Sequence, residues 1–409
     1  MGIFIKLAWR NMFRNKRRTL LASLAIGVGL AALIFTDALV VGMEDNMIES
    51  ATSTYLGEGE IHRAGYQETQ KVEQTINNLD TVVSELKASP VVRAFTERLM
   101  SFGMVTSPSN VQSVSIVGID PESEAQLSMV DEAITEGSYF TGSNPRNILI
   151  GDGLADILSV GLNDRIVVTL AEAHTGELVQ EMFRISGIFR FGVKEMDRGM
   201  GFIRLPKARS MLGLPGAAHE IAIQFVAGEH IGRKKNAPFW TKFSQDGNLA
   251  EGWTELQPQL ASMLQYTQFS TYLMGIILFG VVIFGIINTL FMSLHERMFE
   301  FGVLRAVGTR PFEMGKLIIY EAACLSVISI LVGLILGYII TYIMTLTGIN
   351  YTGIEFAGVT FRNMIYPVLR LRQFIEYPFW VFVFTTITGI YPAWYAAKMQ
   401  PAEAMRKSF

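Results

Sequence analysis

Cys324 is the only cysteine in 409 residues. A lone thiol excludes an intramolecular disulfide, so any soluble part of the chain is held by packing alone. Charge is sparse as well: 17% of the residues are charged, against about a quarter in an ordinary globular protein. Acidic residues are absent from the first 18 positions, where Lys6, Arg10, Arg14, Lys16, Arg17 and Arg18 gather. The five histidines, at 62, 174, 219, 230 and 295, show no metal-ligand spacing. No G-x-S-x-G nucleophile setting is present, which argues against a hydrolase. A phosphate-binding loop needs G-x-x-x-x-G-K-[ST]. Gly315-Lys316 has Arg310 in place of the first glycine and Leu317 in place of Ser or Thr. The chain therefore carries no such nucleotide site of its own.

Apolar length is what the chain has in excess. Half of the residues are hydrophobic, and the surplus lies in four runs at 20–41, 273–294, 317–346 and 379–397. A bilayer core is crossed by about 20 apolar residues in a helix, and each run comes near or above that. The expected fold class is an α+β membrane protein. It has four transmembrane helices in a 1 + 3 layout, with a large mixed α+β extracytoplasmic domain at 44–268 between the first and second. The 20–41 run is too long for a signal-peptide core and no clear small-x-small site follows, so it reads as an uncleaved anchor.

Orientation follows from basic residues. The cluster in 1–18 predicts a cytoplasmic N-terminus. Four spans return the 398–409 tail, with Lys398, Arg406 and Lys407, to the cytoplasm. The 295–316 loop, with Arg297, Arg305, Arg310 and Lys316, is cytoplasmic in this reading, and 347–378 is an outer loop. Arg362, Arg370 and Arg372 in that outer loop run against the rule. Ile3, Leu7, Trp9, Met12 and Phe13 recur at helical spacing opposite the basic residues, so 1–18 predicts an amphipathic helix on the cytoplasmic leaflet.

In the outer domain the helical pattern continues beyond 41 to about 54. Strands are expected at 58–63, 91–99, 111–119, 147–150, 165–170, 183–189, 200–203 and 220–226, with helices at 79–87, 153–158 and 206–212. Asp120-Pro121 reads as a turn, and 174–176 as a hairpin tip. The polar stretch 227–252 reads as a loop or insertion. In the spans, Gly280, Gly285 and the G-x-x-x-G pair Gly333/Gly337 suit close helix packing or a dimer seam. Glu321 and Asp37 are intramembrane carboxylates, a costly placement unless they reach an interface or a partner.

The segment 293–316 (SLHERMFEFGVLRAVGTRPFEMGK) is the most specific local signal. Met298, Phe301, Leu304, Ala306 and Val307 supply apolar contacts along a short helix, and Glu296, Arg297, Glu300 and Arg305 cover the rest. Gly308 suits a C-cap, and Pro311 suits the first turn of a second helix that runs into the third span. Such a helix, pinned beneath the membrane, fits docking into a soluble partner; an interfacial turn without a partner fits the pattern as well.

These residues carry a resemblance. LAWRNMFRNKRRT at 7–19 looks like the opening of type VII ABC-transporter permeases. ERMFEFGVLRAVG at 296–308 resembles their coupling segment, and YPAWYAAKMQPAEAMR at 391–406 their closing motif. In the outer region GEIH at 59–62, IGDGLA at 150–155, VGLND at 160–164 and SGI at 186–188 fit too. The resemblance spans nearly the whole chain and is closest to the lipoprotein-releasing LolC/LolE permeases, with MacB and FtsX as more distant relatives.

That resemblance implies the mechanism. Two permease chains, identical or homologous, pair in the bacterial inner membrane and dock on a cytoplasmic ABC ATPase dimer. ATP and Mg bind to that partner, and the permease binds no cofactor directly. Glu296, Glu300, Phe301, Leu304, Arg305 and Gly308 are the expected ATPase-coupling residues. The cargo would be a lipoprotein lifted from the outer leaflet, with acyl chains on the inner faces of the first and second spans. A periplasmic carrier is a further candidate partner, and the basic loop 228–252 a candidate contact surface. One departure concerns the hairpin tip at 171–178, which is short and has no proline, unlike the extended capturing loop of LolC. That departure argues against direct carrier capture. A MacB-like exporter of peptides or small molecules is the alternative, and an FtsX-like signal transducer a more distant one.

Overall fold

The structure is a computed structural model that describes residues 2–140, 142, 144–351, 355–356, 359–360 and 364–398. Arg362, Arg406, Lys407 and the closing-motif positions 399–406 lie outside the described residues. The chain forms two compact units. One comprises Met1–Asp45, Gln265–Asn350 and Asn363–Phe409; the other comprises Asn46–Leu264 and Tyr351–Arg362.

The elements run in chain order as follows. Helix α1 (Gly2–Met12) and the long α2 (Lys16–Ala51) come first, and a π-helical turn at Thr52–Leu56 closes α2. Strand β1 (Gly59–Arg63), α3 (Tyr66–Thr69), α4 (Leu79–Ala88), β2 (Val92–Thr106) and β3 (Val111–Ile119) follow. Next are α5 (Pro121–Leu127), β4 (Ile134–Gly137), β5 (Asn147–Gly151), α6 (Asp152–Leu158), β6 (Arg165–Ala171) and β7 (Leu178–Phe189). Then come α7 (Lys194–Gly199), β8 (Met200–Arg204), α8 (Leu205–Leu212), β9 (Glu220–Phe225), α9 (Pro238–Phe243) and β10 (Asn248–Gly252). The chain continues with α10 (Trp253–Leu256), α11 (Pro258–Glu296), α12 (Met298–Ala306) and α13 (Pro311–Thr347). Two-residue strands β11 (Glu355–Phe356) and β12 (Val359–Thr360) precede α14 (Gln373–Thr388) and α15 (Ile390–Lys398).

The soluble unit is built on a ten-stranded mixed sheet in the order β10-β1-β9-β2-β3-β8-β5-β7-β4, with β6 joining β2 to β7. β2 organises it. Its first half pairs with β9, its second half with β6, and its far edge with β3. Alternation buries Ile61, Ile221, Ile223 and Phe225 beneath Trp240 and Phe243 in one core. Leu99, Val105, Ile166, Phe183 and Ile203 form a second core with α6 and α8. Each inward side chain gains from leaving water, about 1.5–3 kcal/mol for a fully buried Leu, Ile or Phe.

The opposite face of β1, β9 and β2 is polar and buried. Arg98 is wholly buried and donates to both oxygens of Glu124, at 2.6 and 3.0 Å, and to Glu220 at 3.1 Å. It also donates to the Tyr55 carbonyl at 2.6 Å, and its guanidinium lies 3.8 Å from the Tyr55 ring centroid. The sheet thereby grips the π-helical turn through one cation. Glu60 lies on the same face, and burial, reinforced by the neighbouring Glu220, pushes its acid well above the ordinary range.

The structure corrects several expectations. Residues 227–252 are not a loop. A 3-10 turn at Ile231–Arg233, α9 and β10 fill the segment, and β10 pairs antiparallel with β1 along the sheet edge. Its apolar anchors, Ile231, Phe239, Trp240, Phe243 and Ala250, are scattered over three short elements, so no periodicity was visible. Asp120-Pro121 opens α5 rather than only closing a strand. The Asp120 carboxylate accepts the Ser123 N–H at 3.1 Å, a cap with Pro121 in the first turn. The expected outer loop 347–378 ends in helix, because α14 starts at Gln373. The run at 379–397 is divided at Gly389 into α14 and α15.

Among the described residues four helices are long and apolar enough to span: Thr19–Leu56, Pro258–Glu296, Pro311–Thr347 and Gln373–Lys398. α13 is the central one, packed by α1, α14 and α15. Its buried small residues Ala322, Ser326, Ser329, Gly333 and Gly337 admit neighbouring helices closely.

Candidate functional site: the coupling helix and the membrane cleft

α11 stops at Glu296, and Arg297 leaves the helical region with φ −107° and ψ 11°. α12 then runs for nine residues and ends in a Schellman motif. Thr309 N–H donates to the Leu304 carbonyl at 3.0 Å, and Gly308 N–H to Arg305 at 3.1 Å. Gly308 stands at φ +104°, a conformation that a side chain resists. The glycine is therefore what allows the turn into α13 at Pro311.

The six expected coupling residues do not share one face. Phe301 is only 1% exposed and packs with Ala8, Leu294, Met314, Leu317 and Ala393. Glu300 turns toward the N-terminal segment, where Arg14 donates to it at 2.5 Å and Arg297 at 3.1 Å. These two cations hold the Glu300 carboxyl below its usual range in spite of its partial burial. Arg305 donates to the Thr309 carbonyl at 3.3 Å. Glu296, Leu304 and Gly308 are exposed.

The outward face of α12 is apolar too, and it adds Phe299, Val303 and Phe312 to the expected Leu304 and Val307. Phe299, Val303 and Val307 recur four residues apart, and Leu304 and Phe312 lie exposed beside them. Val307 is 82% exposed. The i, i+4, i+8 stripe was present in the sequence, but a second apolar stripe through Phe301 obscured which of the two faces inward.

The four expected packing glycines divide likewise. A Cβ on Gly333 would lie 2.9 Å from the Gly27 carbonyl oxygen, and one on Gly337 would lie 3.2 Å from the Ala31 Cα. The α13 glycines thus form a contact with α2 inside one chain. Gly280 and Gly285 of α11 face open space.

A cleft of about 340 Å³ opens between α2, α11 and α14. Leu33, Val40, Val41, Phe279 and Trp380 give it an apolar wall, and Asp37, Arg370, Arg372, Gln373 and Glu376 a polar rim. Gln373 donates to Asp37 at 2.8 Å, so that intramembrane carboxylate is satisfied within the chain. Glu321 is satisfied likewise, by Arg297 at 2.5 Å and Asn11 at 3.0 Å. Among the described residues no group of three or more His, Cys, Asp or Glu side chains could hold a metal ion.

Comparison with known proteins agrees with this division of the chain. The family described as MacB-like periplasmic core domain matches residues 19–233, and that described as FtsX-like permease C-terminal matches residues 272–401. The chain belongs to the family of MacB-like and FtsX-like permeases and is a protein of the bacterial inner membrane. It is similar to the lipoprotein-releasing system transmembrane protein LolC of Xylella fastidiosa, 22% identical over 72% of this chain and 73% of that one. It is also similar to LolE of Haemophilus influenzae, 19% identical over 98% of both chains. Among solved structures, the periplasmic region of MacB from Actinobacillus actinomycetemcomitans covers 50% of this chain and 92% of its own, with a TM-score of 0.35 and 8% identity.

Proposed function

We propose that the chain is the permease subunit of a transporter that lifts lipoproteins from the outer leaflet of the inner membrane. ATP hydrolysis by a separate ABC ATPase would drive it, with ATP and Mg bound on that partner. The observation that carries this reading is the two-faced α12. Its Phe301 side is seated in the membrane unit, and its Phe299/Val303/Val307 side is apolar and open. An exposed stripe of that kind gains by burial in a groove. In this reading both termini and α12 are cytoplasmic, and a second permease chain completes the transporter.

The cargo assignment rests on the cleft between α2, α11 and α14, whose apolar wall suits acyl chains and whose charged rim suits a polar head. The similarity to permeases named for lipoprotein release supports it. The MacB-like core domain keeps export of peptides or small molecules as the second reading.

Purification of the tagged full-length chain in mild detergent, with mass spectrometry of what accompanies it, tests both readings. An ABC ATPase together with acylated lipoproteins is the expected result. An ATPase without lipoprotein favours small-molecule or peptide export. Absence of any ATPase overturns the coupling role, and a periplasmic hydrolase in place of cargo favours signal transduction.

A further inference from the structure

The α12 segment holds a second feature, and its interpretation rests on the coupling role above. We propose that the Arg297–Glu321 ion pair is a positioning device that passes displacement of α12 to α13, with Asn11 tying the N-terminal helix to the same carboxylate.

Glu321 lies inside a spanning helix, where an unpaired carboxylate is costly. Its Oε1 accepts from Arg297 Nη1 at 2.5 Å and from Asn11 Nδ2 at 3.0 Å. The two charged side chains are 9% and 12% exposed. Arg297 also donates through Nε to Glu300 at 3.1 Å, and Arg14 donates to the other oxygen of Glu300 at 2.5 Å. The Arg297 guanidinium lies 5.0 Å from the centroid of Phe301, the residue that seats α12. One network thus joins α1, the turn after it, α12 and α13.

Position makes Arg297 more than a brace. It is the residue at which α11 gives way to α12, so rotation of α12 about that break moves its guanidinium. The guanidinium is fixed to α13 through Glu321, so α13 and α1 must follow or the pair must part. A pocket of about 30 Å³, about the volume of one water molecule, lies beside the pair, with Thr19, Thr289 and Ser293 among its lining residues. Stability alone is a poor reason for such a pair, because a buried ion pair is often replaceable by apolar residues without loss. Its bonds to three separate elements point to transmission.

The test uses the full-length chain with its co-purifying ATPase, reconstituted in vesicles. In a Cys324→Ala background, Glu177→Cys on the exposed outer-domain hairpin carries an environment-sensitive fluorophore, and ATP with vanadate supplies the stimulus. The double variant R297M/E321M keeps an apolar pair in place of the ionic one. It should capture the ATPase within about twofold of the parent while its fluorescence response falls about tenfold, within the range of coupling between sites. Arg297→Lys, which keeps the charge, should restore most of the response. Full response in the double variant overturns the proposal, as does loss of ATPase capture in proportion to loss of response. Should the double variant fail to accumulate, Glu321→Gln decides, since it keeps the volume and an acceptor but removes the charge; an undiminished response there overturns the proposal. A parent that captures the ATPase yet gives no response overturns it as well. A parent that captures no ATPase removes the coupling reading itself.

Discussion

Gly333 of α13 and Gly27 of α2 are in backbone contact. A methyl group on Gly333 would lie 2.9 Å from the Gly27 carbonyl oxygen and 2.8 Å from the Leu30 Cβ. Lipid offers helices no hydrophobic drive to associate, so close backbone approach is the source of their attraction. The G-x-x-x-G spacing of α13 is thus used within the chain. A Gly333→Val substitution should cost about 1–3 kcal/mol by overpacking. Gly280→Ala, in open space, should stay within about 0.5 kcal/mol of the parent. Thermal unfolding in detergent separates the two, and equal melting temperatures would refute the contact.

The two faces of α12 predict opposite failures. Phe301→Ala empties a buried site and should cost about 3–5 kcal/mol, seen as a lower melting temperature. Leu304→Asp changes an exposed position and should leave the melting temperature in place while abolishing ATPase capture. If Leu304→Asp unfolds the protein, the outward assignment of this face fails.

Arg98 is the single cation among Glu124, Glu220 and the Tyr55 carbonyl. Arg98→Met leaves buried carboxylates without their partner and should cost about 3–5 kcal/mol. Limited proteolysis of the full-length chain should show earlier cutting between residues 46 and 264. Resistance equal to that of the parent would mean that the network adds nothing.

Glu60 gives a pH test of known sign. Burial raises its acid in the folded chain above the ordinary 4.5. Its contribution is therefore fully present below about pH 4.5 and is lost as the pH rises through the elevated folded value. Glu60→Gln fixes the neutral form and keeps the contact with Gln67, which donates to Glu60 at 3.0 Å. The variant should melt higher than the parent at pH 8, and the difference should vanish by about pH 4, below both values. A variant less stable at pH 8 would show that Glu60 is held ionised.

His219 gives the opposite slope. It accepts the Met100 N–H at Nδ1 (2.9 Å), and Nε2 lies 2.7 Å from the Val72 carbonyl. Burial lowers its affinity for a proton below the ordinary value of 6.5. The stability it carries is present above about pH 6.5 and is lost as the pH falls through the depressed folded value. His219→Gln should flatten that part of the acid limb in a melting series from pH 7.5 to 5. An unchanged limb would exclude His219 as its source.

The amino-acid sequence alone determined the class of molecule, because its evidence is local. Twenty apolar residues in a row need no tertiary context to be read as a span. Strands such as β3 and β9 announce themselves by alternation, and Gly308 and Pro311 mark the ends of helices by their own backbone preferences. The motifs at 7–19 and 296–308 likewise sufficed to point to the permease family.

Tertiary structure alone decided which side of each element is used. α12 carries two apolar stripes of similar strength, and only packing against Ala8, Met314 and Ala393 selects Phe301 for the interior and leaves Phe299 and Val307 outside. The segment 227–252 looked polar because its few anchoring side chains are scattered over short elements, and β10 is a strand because β1 supplies the hydrogen bonds. The Arg297–Glu321 pair joins residues 24 positions apart, and Arg98 joins partners 43 and 122 positions away. Such contacts follow from how the chain closes in space, and a sequence window of one or two helical turns holds no trace of them.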